Sequence, residues 1–194
     1  MSKGKDVNSI LRPVRDMPLQ AYFGQGLHTL GLLGWLLPQT GKADVWVSSY
    51  STSEPFLNGF YLLRKKDLIR HSSILLDHRA ARKTIHLERL LYSAFDHVML
   101  GQNHSKLLLL QNFDFSVSVV TSQNQTYGAR AESTIISTDY GVFECLMSQF
   151  RDICGNGAVE LDLKNGKGIV TKDRTSGTPA IDTFPNRGLV GAER

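Results

Sequence analysis

Two short apolar runs constrain this chain most. Leu107 to Leu110 is an unbroken aliphatic run, Val117 to Thr121 is mostly β-branched, and Asn112 to Phe115 lies between them with the composition of a turn. Runs of this length on either side of a turn read as two neighbouring strands. On an extended chain, residues two apart point to the same face. His104 and Lys106 therefore share a face just ahead of the first strand, and Ser122 and Asn124 share one just after the second. Two such pairs can converge on a single anion.

Those residue types suit phosphate chemistry. Imidazole attacks phosphorus as a nucleophile or donates a proton to a leaving oxygen. Lysine supplies a fixed positive charge, and hydroxyl and amide groups hold phosphoryl oxygens. A carboxylate at Glu132 would complete the set by orienting an imidazole, because a hydrogen bond at one ring nitrogen fixes the tautomer at the other. This chemistry requires neither a metal nor a cofactor.

In this order the residues resemble the HKD motif of the phospholipase D superfamily: H-x-K, a strand, a turn, a second strand ending in G-S-x-N, then a glutamate. The matching positions are His104, Lys106, Ser122, Asn124 and Glu132. The likeness is closest to the small single-motif bacterial endonucleases of that superfamily and covers about residues 20 to 155. Two positions depart from the pattern: Gln111 stands where the motif has its aspartate, and Thr121 stands where it has the glycine before the serine. The resemblance implies an α/β fold, a mixed β-sheet flanked by helices, with one motif per chain. It also implies His104, Lys106 and Glu132 as catalytic residues, and Lys106, Ser122 and Asn124 as ligands of the substrate phosphate.

The remainder of the chain is compatible with that fold. Its 194 residues, 41% of them hydrophobic, allow one domain with a sizeable core. Residues 1–18 are polar and basic, read as a flexible lead-in, and lack the apolar core of a secretory signal. Leu19 to Leu37 reads as a buried helix closed by Pro38, with Gly24, Gly26, Gly31 and Gly34 allowing close helix packing. No P-loop lysine follows these glycines, and the polar interruptions argue against stable membrane insertion.

Asp44 to Tyr50 is expected to be the first core strand, followed by a helix to about Lys66. Ser72 to Leu76 reads as a strand, Ala80 to Ala94 as a helix, Phe95 to Leu100 and Ser133 to Ser137 as strands, and Gly141 to Ile153 as an amphipathic helix. The domain is expected to span 19–155. Residues 156–194 read as a small hairpin, Val159 to Leu163 with Gly168 to Thr171, and a flexible tail. Cys145 and Cys154 form no CxxC pair, so a reducing, cytoplasmic setting is expected.

There is one H-x-K in the chain and no internal repeat. Two-step transfer through a phosphohistidine needs one group to attack and a second to protonate the leaving oxygen, so a homodimer is expected to complete the site. The substrate is expected to be DNA or RNA. A net charge of +4 and the basic cluster Arg70, His71, His78, Arg79, Arg82 and Lys83 favour a polyanion. A phospholipid phosphodiesterase of the same superfamily, and a non-catalytic nucleic-acid-binding or structural protein, are the alternatives.

Overall fold

The computed structural model describes residues 6–80, 86–125 and 130–161. Eight strands form one sheet in the order β1-β7-β6-β5-β2-β3-β4-β8. In chain order the elements are β1 (Leu19–Gly24), α1 (Thr29–Thr40), β2 (Ala43–Ser49), α2 (Glu54–Lys65), β3 (Ile69–Asp77), α3 (Glu88–Ala94), β4 (His97–Gly101), β5 (Leu107–Gln111), β6 (Ser116–Thr121), β7 (Glu132–Ser137), α4 (Tyr140–Asn156) and β8 (Val159–Glu160). The sheet is mixed. β2, β3 and β4 run parallel to one another, while β5, β6, β7, β1 and β8 each join antiparallel. The α/β architecture with helices on both faces is the one the sequence leads to.

Strand composition explains which face is covered. β2 and β3 are central; β2 is buried nearly throughout and β3 over its second half, Ile74 to Asp77, as strands covered on both faces are. On one face Val45, Val47, Ile74, Leu76, Leu108, Leu110, Val117, Val119 and Ile136 meet Leu33, Leu36 and Leu37 of α1, Phe56, Leu57 and Phe60 of α2, and Leu91 and Ala94 of α3. Phe60 and Phe95 stack at the centre of this layer, with ring centroids 4.2 Å apart. Among the described residues the opposite face carries α4 alone, whose Phe143 and Met147 pack on Leu109 and Trp46. Gly59 sets the spacing of α1 and α2: a Cβ there would lie 2.2 Å from Leu30 Cδ2.

Four expectations are corrected. The stretch from Leu19 is a strand before it is a helix. Its buried residue is Gln20, whose amide bonds Arg12 and Met17, while Leu19 and Phe23 face solvent, and β1 supplies the partner that β7 needs. α1 continues through Pro38 to Thr40; Gln39 Nε2 and Thr40 Oγ1 donate to the carbonyls of Trp35 and Leu36. Close packing does not account for its glycines, since nothing lies within 4 Å of a Cβ built at Gly34. Residues 6–18 belong to the packed unit, with Leu11 and Val14 in the core.

At the other end, β8 pairs with β4; Gly168 to Thr171, the second half of the expected hairpin, lies outside the described residues. The expected helix over Ala80 to Ala94 is helical from Glu88, following a short 3-10 turn at His78–Ala80, and residues 81–85 between them are not described.

The stacked aromatic pair tests this packing. Phe60→Ala removes a fully buried ring and should lower unfolding free energy by ~3–5 kcal/mol. Urea titration followed by circular dichroism reads the change; a loss below ~1 kcal/mol would place the core elsewhere.

Candidate functional site

Strand pairing builds the site. Leu107 lies opposite Val120, and the next rung is a bond from Thr121 N–H to the Lys106 carbonyl (3.1 Å), so the residues that precede β5 sit beside those that follow β6. Ser122 N–H donates to Ser133 O at 3.0 Å, which brings the start of β7 alongside. His104, Lys106, Ser122, Asn124 and Glu132 thereby reach one pocket of about 330 Å³, lined also by Gln123, Arg130 and Ala131.

Within the pocket the groups pair differently from the expected triad. Lys106, only 9% exposed, donates from Nζ to the His104 carbonyl (2.6 Å) and lies 3.2 Å from His104 Nδ1. An ammonium only donates, so at this contact Nδ1 is the acceptor and the neutral ring carries its proton on Nε2. Burial pushes the Lys106 pKa down, and the Glu132 carboxylate partly offsets that. Glu132 accepts a short hydrogen bond from the Ser122 hydroxyl, whose oxygen also accepts from Ser133 N–H. No hydrogen bond joins Glu132 to the imidazole among the described residues. Asn124 Oδ1 is buried without a partner, a hydrogen-bonding position left open in the pocket wall.

The two departures from the motif lie where they do little to the pocket. Gln111 sits at the opposite end of β5 from Lys106, where its amide donates to Ser116 Oγ (3.3 Å). Thr121 is built into the strand end: its hydroxyl donates to Ser133 O at 3.0 Å and accepts from Gln123 N–H at 3.2 Å.

Sequence reasoning missed Asn103 and Asp77, which anchor the histidine loop. Asn103 is buried and donates from Nδ2 to the carbonyls of Ser49 and Leu75, each at 3.1 Å. Its Oδ1 accepts from Ser105 N–H (3.0 Å), Ser105 Oγ (2.7 Å) and Ser48 Oγ (3.2 Å). Asp77 Oδ2 accepts from Asn103 N–H at 2.9 Å. Tyr50, at the end of β2, lies against the His104 ring with centroids 5.4 Å apart. Gln123 joins the pocket to α1: its Oε1 accepts from Thr29 N–H (3.2 Å) and its Nε2 lies 2.9 Å from Nδ1 of His28, whose pKa burial lowers. The signal available for Asn103 was its place directly before the H-x-K.

The basic cluster divides. Arg70 and His71 lie at the start of β3 and His78 and Arg79 just past its end, so they occupy opposite ends of the sheet. Arg70 is held in a two-pronged bond by buried Asp44, at 2.8 and 2.7 Å. Arg82 and Lys83 lie outside the described residues.

Acid stability tests the loop anchor. Burial raises the Asp77 pKa, but N–H donors from Asn103 and Arg79 and the positive charges of His78 and Arg79 outweigh it, so the net shift is downward. A carboxylate with a depressed folded pKa stabilises the fold above its unfolded value, and that contribution is lost as pH falls through the folded pKa. Asp77→Asn should therefore be less stable than wild type at pH 7, with the gap closing below about pH 4. Urea midpoints across pH 3 to 7 measure this; a gap independent of pH would contradict it.

No protein-family model matches the chain, and comparison with curated proteins gives no match. Solved structures do share its fold. Polyphosphate kinase from Porphyromonas gingivalis aligns with a TM-score of 0.54 at 11% identity, over 78% of this chain and 29% of that one. Phosphatidylserine synthase from Haemophilus influenzae Rd KW20 aligns with a TM-score of 0.51 at 12% identity, over 74% of this chain and 39% of that one. The chain thus spans well under half the length of either. At these identities the likeness establishes that this chain shares the α/β fold of the matched part of both proteins.

Proposed function

We propose that the chain is a metal-independent phosphodiesterase that hydrolyses DNA or RNA through a phosphohistidine, at a site completed by a second copy. The convergence of His104, Lys106, Ser122, Asn124 and Glu132 on one pocket carries this reading. In the first step an imidazole nitrogen of His104 attacks phosphorus, and the bond to the leaving oxygen breaks as the partner's His104 gives that oxygen a proton. In the second, the same partner histidine takes a proton from water, the water oxygen attacks phosphorus, and the P–N bond breaks to release the phosphomonoester. Lys106 and the Asn124 amide stabilise the charge on the phosphoryl oxygens.

Both roles require the Lys106 contact at His104 Nδ1 to be released. The proton donor is an imidazolium, with N–H at both ring nitrogens, and becomes neutral when it gives up the Nε2 proton. The attacking ring is neutral with Nε2 free and Nδ1–H on a carboxylate. Transfer of the Ser122 hydroxyl from Glu132 to a phosphoryl oxygen frees Glu132 for that bond, so substrate arrival arms the nucleophile.

An exposed apolar patch supports a seat for the second copy on the face where α4 is the one described helix. There β1, β7 and β6 leave Leu19 (66% exposed), Phe23 (79%), Ile135 (50%) and Val120 (41%) open. The rung of Ala21, Ile135 and Val120 crosses all three strands, and Phe23 precedes Gly24, the partner of Glu132. A contiguous apolar patch on a sheet edge is a contact surface, and burying it against its own copy about an axis along the strands brings two site ends together. Among the described residues no helix is long and apolar enough to cross a membrane.

Two measurements test this. In excess EDTA, wild type should cleave plasmid or single-stranded nucleic acid, and His104→Ala at equal dimer content should lose on the order of 10³-fold or more. Cleavage of a lipid phosphodiester in place of any nucleic acid would overturn the substrate assignment. The double change Phe23→Ser with Ile135→Ser should shift the protein from dimer to monomer in sedimentation velocity and reduce activity with the fold intact; an unaltered dimer would overturn the interface.

A further inference from the structure

Arg130 is a pocket residue that neither the motif nor the steps above employ. It is exposed on the pocket rim beside Ala131 and Glu132. Its guanidinium makes no hydrogen bond or ion pair among the described residues, whereas Arg64 and Arg70 are each engaged by a carboxylate, Asp96 and Asp44. Lys106 differs on both counts, being buried, turned back onto His104 and balanced by Glu132. Among the described residues the pocket therefore holds an inner lysine that feels the Glu132 charge and a rim arginine with no ion-pair partner.

We infer that Arg130 binds the phosphate next to the one being cleaved, which makes the site a reader of a polynucleotide backbone. This rests on the twofold phosphodiesterase reading. Symmetry puts the scissile phosphate between two histidines and places two Arg130 side chains on either side of it. A polynucleotide has a phosphate on each side of every internal linkage, and a lipid diester has none. Guanidinium suits that task because its planar fork meets two phosphate oxygens at once, and because it stays charged at any working pH.

The test compares Arg130→Gln with wild type on two diesters, after circular dichroism has shown that both proteins are folded. Bis(p-nitrophenyl) phosphate carries one phosphate and no neighbour; a single-stranded oligonucleotide carries many. The variant should lose about tenfold or more in kcat/KM on the oligonucleotide and less than about threefold on the small diester, and Arg130→Lys should fall between on the oligonucleotide.

Oligonucleotide binding is titrated against salt in parallel. Two lost contacts per dimer should flatten the slope of log K on log salt by about 1.4. Equal losses on both diesters, or no loss on either, would overturn the assignment while leaving the nuclease reading in place. If wild type cleaves no oligonucleotide, the nuclease reading fails, and the salt slope decides Arg130 by itself: a flattened slope sustains it as a backbone contact, and an unchanged slope overturns it.

Discussion

Everything at the candidate site depends on the register between β5 and β6. With Leu107 opposite Val120, Lys106 and Thr121 form the next rung, and the polar groups on both sides fall at one end of the sheet. Side chains alternate with a period of two along a strand, so a slip by one residue would turn His104 and Lys106 away from Ser122 and bury Val120 and Leu107 in place of Val119 and Leu108. The apolar pattern prevents that slip. Leu108, Leu110, Val117 and Val119 all face the larger core, and any other pairing leaves part of that set in water. The turn reinforces it: Asn112 Oδ1 accepts from the N–H groups of Asp114 and Phe115, each at 2.9 Å.

This explains why the hairpin and the five site residues were legible in the sequence. A strand pair with a short turn is local, and its face assignment follows from alternation. The residues that hold the loop were not legible for the converse reason. Asn103 bonds Ser48, Ser49, Leu75 and Asp77, positions 26 to 55 residues away, and only the parallel pairing of β2, β3 and β4 brings them together. The pairing of Arg70 with Asp44 is of the same kind, since its partner lies 26 residues away on the neighbouring strand. β1 was misread because its pattern is inverted: Gln20 is inside, bonding the chain ahead of it, while Leu19 and Phe23 are outside.

At the site the decisive quantity is how charge is shared in a semi-enclosed space. Burial favours the neutral form of the Lys106 amine, and a carboxylate nearby restores part of its charge. Glu132 also holds Ser122, so one carboxylate supports the cation, positions a hydroxyl and stands ready for the imidazole. On the proposed function, an incoming phosphodiester competes for that hydroxyl and for Lys106 together, and Arg130 on the rim acts on the remainder of the substrate.

The central claim is that His104 takes a covalent phosphoryl group. The direct measurement is a rapid acid-free quench of wild type turning over a nucleic acid labelled with ³²P at internal linkages, followed by proteolysis and mass mapping of bound phosphorus. The account predicts label on His104, stable to alkali and released by acid as a phosphoramidate is, and absent from a Glu132→Gln variant that cannot set the attacking tautomer. Turnover of the same substrate with no phosphorus on the protein at any time point would contradict it and assign the cleavage to direct attack by water.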